Sequence, residues 1–569
     1  MRKILETGLL VLLLLLLFCP ARAQLLERQV TIYDSAASPG YYFFRSFRMK
    51  VMYDTMPGQQ VIMDGNGHTV YYRLTHTGSD FKMHANGIIS FFGKDKFYLF
   101  DKNFRIIDSV SCVNGITTDS HDFVVLPDGH FLLLGQEIEQ KDMSRYKIFK
   151  QKNLAGSKRA KVITGVIQEL DANKRLVYEW RSAPHFRLED AEKIYLNDTA
   201  KIDITHFNSV DQDSAGEYLL ISVRYSNEII KVQKNTGMIL WRFGGKRNNI
   251  KLLNDSLPFL GQHDARFSGG NRMTLFDNGY ADAKRKHAAR AMEYEMDDAK
   301  KTAKLVWSYT RKPQLVSDAA GNAHRAANGY MLTNYGKIQN SKQNIMFDMV
   351  KPDGSKIIEL AFKDTAGTYR AFYYPSLPFE LPRPVISGSW QYGGYKLETA
   401  SAGPRRWSNG DTAQLISPAV PGEYYLDIPY GDGGFLRSIP LKVTAKMLNG
   451  PDTLRSGKMN KAQEDAYYDL LRAYRESGGL DRVLAQTGFS MRCGSCETFG
   501  GQFMVSISDS GELLSCSIAK TNFYCKSLDE KKAMDVLLKS FTDFLRKQKF
   551  HGALRGKTVF LQTGFYSKC

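Results

Sequence analysis

Between about residues 60 and 360 one local pattern keeps returning: a short turn rich in Asp, Asn or Gly, then an apolar β-type run. One version reads DGNGHTVYYR, DKNFRIIDS, DANKRLVYEW, KNTGMILWRF, DDAKKTAKLVWSY and KPDGSKIIEL. The other reads HANGIISFFG, LPDGHFLLLG, SAGEYLLISVR, GGNRMTLFDNG and AANGYMLTNYG. The two alternate along the chain. Each is a hairpin whose turn suits residues that tolerate positive φ. Two hairpins make a four-stranded unit, and the unit recurs at roughly the 50-residue period of propeller blades. About six units fit, so the expected fold is all-β, a six-bladed β-propeller. A pair of β-sandwiches would explain the strands but not the alternation of two turn types.

The flanks differ from this core. Arg2 and Lys3 precede an apolar run from Leu9 to Phe18, then Ala21-Arg22-Ala23, the pattern of a cleaved signal peptide over residues 1–23. That run is too short to span a bilayer, and no later stretch is long enough. The expected divisions are 24–375 for the propeller, 376–446 for a Pro- and Gly-punctuated β-sandwich-like domain, and 447–569 for a small α+β cysteine-rich module. The last contains two amphipathic helices, KAQEDAYYDLLRAYRESGG and LDEKKAMDVLLKSFTDFLRKQKF. Cys493, Cys496, Cys516, Cys525 and Cys569 cluster there, and Cys112 stands apart. Export favours disulfides over a zinc site for that cluster. The formal net charge is +18, which suits an anionic substrate or an acidic surface. The basic residues are scattered and match no nucleic-acid motif, so nucleic acid is not the expected partner.

Loops and strand ends of a propeller converge on its central channel, where polar groups far apart in sequence meet. His121 in TTDSHDFVVLPDG, His206 in DITHFNSVDQD and His263 in GQHDARF share one context, each shortly before a strand-turn-strand unit. Asn208 lies two residues after His206, on the same face if the strand is regular. Arg224 ends GEYLLISVR. Three histidines can ligate zinc, but a guanidinium beside them favours an oxyanion over a dication. Asp264 could orient His263, although neighbours in a strand face opposite ways. Asp277 and Asn278 read as turn residues, with Asn278 also able to face the channel. Arg290 reads as a surface ion-pair partner in preference to a second anion contact. Tyr225, Trp241 and Phe243 could line an aryl pocket. His324 has a similar context but is left out of the site, and His68, His76, His84, His130, His185, His287 and His551 read as structural.

The strings SHDF…LPDGHFLLL, THFNSV…LLISVR, GMILWRFGGK, GQHDARF…MTLFDNG and RAMEYEMD resemble the bacterial arylsulfate sulfotransferase family, in its exported branch, over roughly residues 40–365. The resemblance implies a six-bladed propeller. It implies transfer of a sulfuryl group from a phenolic sulfate donor to a phenol acceptor, with no nucleotide, cofactor or metal. Carried over by motif, the nucleophile is His263, transiently sulfurylated, and His121, His206, Asn208 and Arg224 bind the sulfuryl group. A sulfate ester hydrolase would use the same residues, and a non-catalytic secreted propeller module would need none of them.

Overall fold

A computed structural model describes the chain apart from residues 1–24, 38–39, 49–56, 76–78, 147–154, 197, 283, 339–343, 364–365, 392–393, 450–451, 455–458, 490–497, 525–527 and 567–569. The expected signal segment therefore lies outside the described residues. So do Cys493, Cys496, Cys525 and Cys569.

The alternating turns close antiparallel meanders, and the Asp residues in them explain the pattern. Asp64 Oδ1 accepts from the backbone N–H groups of Asn66 and His68 at 3.0 and 2.9 Å, and Asp171 Oδ1 accepts from Asn173 and Arg175, both at 2.9 Å. Such side-chain bonds stand in for the missing backbone partners of a tight turn. Gly67 completes the first turn at φ +84°, where a Cβ would come 2.9 Å from Val30 Cγ1.

Successive meanders form separate sheets: Lys82–Met83 to Ile106–Val110, Thr117–Val125 to Leu176–Arg181, Phe207–Gln212 to Ile239–Gly244, His263–Phe267 to Thr302–Tyr309, and Asn322–Arg325 to Lys356–Phe362. The remaining sheet joins the two ends of this region. Ala366–Tyr374 pairs with Tyr41–Arg48, which continues into Gly58–Asp64 and Thr69–Thr75. The N-terminal strand Arg28–Ile32 in turn adds to Lys356–Phe362. The fold is all-β and propeller-like. Its apolar cores lie between consecutive sheets: Leu219, Ile221 and Val223 pack with Leu134, Ile167 and Trp180 of the sheet before, while Leu220, Ile229 and Trp241 pack with Ala265, Leu275 and Met292 of the sheet after. A strand face buried on both sides reads as a continuous apolar run, as ILWRF and YLLISV do.

The chain forms two compact units, residues 1–382 with 429–436, and 383–428 with 437–569. Gly434–Leu436 pairs with Tyr71–Arg73 and extends the first unit's closing sheet. The described residues of the second unit form two cores. One gathers Leu397, Trp407, Ile416, Leu426 and Val443. The other packs the helices Lys461–Glu476, Gly479–Thr487 and Glu530–Leu545 on a sheet of Thr498–Ile507, Leu513–Tyr524 and Lys557–Tyr566. Asn460 and Gln463 cap the first helix reciprocally, and Asp529 caps the last. Cys516, expected in a disulfide, instead carries a free thiol facing Thr542, pushed by burial to about 11. Cys112 is also free, at about 12 for the same reason. Among the described residues no helix is long and apolar enough to cross a membrane.

Candidate functional site

The first strands of the meanders touch one another around the middle of the propeller. Val210 N–H donates to Asp122 Oδ2 at 3.0 Å, Ala265 N–H to Ser209 Oγ at 3.0 Å, and Ala371 N–H to Asn322 Oδ1 at 3.0 Å. Halfway along them lies a buried ion lattice. Asp122 receives Lys82 at 2.9 Å, Arg266 at 2.6 Å and Arg370 at 3.0 Å; Asp80 receives Lys82 and Arg370 at 2.6 and 2.9 Å; Asp264 receives Arg266 and Arg370 at 2.7 and 3.1 Å. Burial alone would raise the Asp122 carboxyl, but Arg266, Arg370 and Lys82 drive it far below the usual carboxylate range. Asp264 therefore serves the lattice and not His263, contrary to one reading of the sequence. Its φ of +57° and the register shift between His263 and Arg266 break the simple alternation of faces.

Toward the start of the same strands the histidines converge. His263 is buried, and Asn278 fixes its tautomer. The Asn278 amide nitrogen donates to Ser317 Oγ and to the Ala320 carbonyl, both at 2.8 Å, so its oxygen faces the imidazole. His263 Nδ1–H therefore donates to Asn278 Oδ1 at 2.7 Å and to the Gly261 carbonyl at 2.9 Å. Nε2 is left with its lone pair, which accepts the Ala320 N–H at 3.1 Å. Burial, then the positive charge of Arg224 and of the other two histidines, pushes its pKa well below the ordinary 6.5. The ring is neutral with Nε2 the basic atom.

His121 and His206 lie edge to face, ring centroids 4.8 Å apart. Each has a carboxylate on Nδ1: Asp119 bonds His121, and Asp203 bonds His206 at 2.9 Å. Their environments nevertheless differ. Burial opposes the charge of His121, but Asp119 outweighs it and raises the pKa above 6.5. For His206 burial wins over Asp203, helped by the His121 and Arg224 charges, and the pKa falls. His206 also stands at φ +50°, just before Phe207–Gln212 and not inside it. The same-face argument for His206 and Asn208 consequently does not apply. Asn208 is fully buried, and its amide nitrogen donates to the Gln262 carbonyl at 2.8 Å, tying its strand to the residue before His263. Asn208 Oδ1 has no partner among the described residues.

Arg224 opens a one-turn 3-10 helix, Arg224–Ser226, directly after Tyr218–Val223. Its N–H donates to the His206 carbonyl at 3.1 Å, and its Nη2 to the Asp318 carbonyl at 2.7 Å. Nε is buried and has no partner among the described residues. Its guanidinium carbon sits 4.7 Å over the Tyr195 ring, and Tyr195, Tyr225 and His206 form a continuous stack with spacings of 4.2 and 4.4 Å. His121, His206, Arg224 and His263 are thus brought together, with an aromatic wall beside them and an Arg224 guanidinium that has no carboxylate partner among the described residues.

Other expectations are corrected. Trp241 and Phe243 are core residues, Trp241 donating its indole N–H to Asp298 at 2.7 Å; of the three aromatics only Tyr225 belongs to the site. Arg290 is not a surface residue but a largely buried partner of Asp277 and Asp255, at 2.8 and 3.2 Å. His84 is saturated by Ser90 Oγ and the Val125 N–H, and His287 bonds Asp277 at 2.8 Å. Asp128, His130 and Glu169 cluster closely enough to suggest a metal, but Lys234 Nζ lies 2.6 Å from Glu169 and fills the cation's role. Residues missed in the sequence are Asn278 as the partner of Nδ1, Asp119 and Asp203 behind the histidines, and Tyr195. The Asp-x-His and Asp-x-x-His spacings held that signal.

The arylsulfotransferase (ASST) family profile matches residues 27–373, which includes every residue of this cluster. The chain belongs to the arylsulfotransferase family. No curated protein matches it. Solved structures with partial likeness include a protein of unknown function from Bacteroides caccae (9% identity, 59% of this chain and 98% of that one, TM-score 0.38). Another is the periplasmic gluconolactonase PpgL of Pseudomonas aeruginosa (12% identity, 71% and 99%, TM-score 0.32). A third is the β-propeller domain of Cps50 (Swd1) from Myceliophteria thermophila (11% identity, 53% and 78%, TM-score 0.30).

Proposed function

We propose that this arylsulfotransferase is exported after cleavage near Ala23 and moves a sulfuryl group from a phenolic sulfate ester to a phenol through a sulfo-histidine at His263. The observation that carries the reading is the state of His263. It is neutral, its Nδ1–H is committed to Asn278 and Gly261, and its basic Nε2 belongs to a cluster of cationic donors. The Ala320 N–H must release Nε2 before attack. The Nε2 pair then forms the N–S bond as the S–O(aryl) bond breaks, and the bonding pair leaves on the phenolate. His121, whose pKa is raised, hands that oxygen a proton. Arg224 Nε and the protonated histidine offset the charge that builds on the sulfuryl and leaving oxygens. In the second half a phenol gives its proton to His206, the more weakly basic of the pair, and its oxygen attacks sulfur. The N–S bond returns its pair to Nε2, and the proton passes from His206 to the adjacent, more basic His121, which restores the starting state. Asn208 holds the Gln262 strand in position, and the Tyr195–Tyr225 stack flanks the aryl ring.

The same residues would serve a hydrolase with water as the acceptor. A 4-nitrophenyl sulfate assay with and without added phenol separates the readings. Nitrophenolate release that depends on phenol and disappears in His263→Ala is expected. Release independent of phenol identifies a hydrolase, and no release from folded wild type across several aryl donors contradicts the enzymatic reading.

A further inference from the structure

The first strands that begin at the histidine cluster end at a second cavity, of about 500 Å³. Val124 lies three residues beyond His121, Asp211 five beyond His206, and Phe267 four beyond His263, about 10 to 17 Å farther along at strand rise. The Asp122–Arg266–Arg370 lattice lies between the histidine cluster and this cavity. This cavity is therefore separate from the proposed reaction site, and nothing in that reaction uses it.

Its chemistry is that of a cation receptor with one charge unanswered. Lys82, Arg266 and Arg370 are each committed to Asp80, Asp122 or Asp264. Asp211, on the wall, is a fourth carboxylate against these three cations. Among the described residues it has no ion-pair partner, and accepts only the N–H groups of Gln212 at 3.1 Å and Phe267 at 2.9 Å. Burial pushes it up to about 6 even with Arg266 nearby, as a carboxylate lacking a dedicated counter-ion should be. His324 also lines the cavity, and among the described residues its ring nitrogens make no hydrogen bond, whereas those of neighbouring His84 are both satisfied. Phe267 and Phe372 supply aromatic surface, and Phe372 already has the Lys82 ammonium 5.7 Å from its centroid.

We propose that this second cavity binds an organic ammonium ion with an aromatic body, its N–H groups on the Asp211 carboxylate and the His324 ring and its apolar part against Phe267. A size of several hundred Å³ suits a small ligand. The test is isothermal titration of the whole mature protein, above pH 7 where Asp211 is ionised, with phenylethylammonium and with the uncharged alcohol of the same skeleton. Saturable binding of the ammonium, at least about tenfold tighter than the alcohol, is expected, because only the ammonium makes a charge-assisted hydrogen bond to the carboxylate. That charge comparison needs no variant. Asp211→Asn should weaken the ammonium at least about tenfold and His324→Ala less, while His263→Ala leaves it unchanged. No saturable binding, equal affinity for the two probes, undiminished binding in Asp211→Asn, or loss in His263→Ala overturns the proposal.

Discussion

Two layers of the same channel, one residue apart in sequence, do opposite things. His121 and His263 stand at the rim; Asp122 and Asp264, their immediate successors, belong to the lattice. In the lattice each charge meets opposite charges from two or more sheets, and Arg370 and Asp122 have essentially no exposure. At the rim the pairing is incomplete: among the described residues Arg224 Nε and Asn208 Oδ1 have no partner, and His263 Nε2 accepts a single backbone N–H. A closed ion lattice fixes strand positions because no member can move without stranding a buried charge. The open layer above it can then hold reactive groups in place without being tied down itself.

The lattice supports the rim, so its loss is the more severe. Asp122→Ala removes the carboxylate that all three buried cations share, leaving them to balance with one carboxylate fewer, and is expected to cost about 3–5 kcal/mol of stability, read as a lowered denaturation midpoint, with rim geometry lost as a consequence. The rim tolerates more. Arg224→Ala should leave the denaturation midpoint within about 1 kcal/mol of wild type while kcat falls about 10²–10³-fold, the loss typical of one charge-stabilising donor. An equal stability loss in the two variants would erase the distinction between layers. Asn278→Ala removes the acceptor that selects the His263 tautomer. About 1–3 kcal/mol is expected, seen as a tenfold to hundredfold drop in kcat with KM little changed. Asn278→Asp should restore part of it, because a carboxylate also accepts the Nδ1 proton.

The smallest effect lies in pH. His121 must be protonated and its pKa lies above 6.5; His206 must be neutral and its pKa lies below 6.5. Activity is therefore lost as pH rises through the His121 value and as it falls through the His206 value, giving a bell with limbs on either side of 6.5. The linked stability runs the same way. The His121–Asp119 contribution is complete below 6.5 and fades as pH rises through the folded value, whereas buried neutral His206 and His263 cost stability as pH falls below 6.5. Asp119→Asn should move the alkaline limb downward and Asp203→Asn the acid limb downward. A limb that stays fixed in its variant assigns that titration to another group.

The propeller-like fold was legible because its turns are local: Asp64 and Asp171 fold their own backbones within four residues. The three histidines were legible because they recur in one context. What escaped depends on partners the sequence does not bring together. Asn278 reaches His263 across a hairpin, and Asp264 turns to Arg370, 106 positions away, because its left-handed φ overrides strand alternation. His206 escapes the same rule for the same reason. Arg290 looked superficial because Asp255, one of its partners, lies 35 residues earlier. Trp241 and Phe243 show that strand aromatics go first to the core between sheets.

The proposed transfer requires that His263 Nε2 carry the sulfuryl group. Wild-type protein mixed with 4-nitrophenyl sulfate in the absence of acceptor, quenched under alkaline conditions and digested, should yield the peptide containing His263 with one added SO3 group. The label should be absent in His263→Ala and discharged by phenol. Transfer to phenol with no labelled intermediate, or a label on His121 or His206 instead, would contradict it.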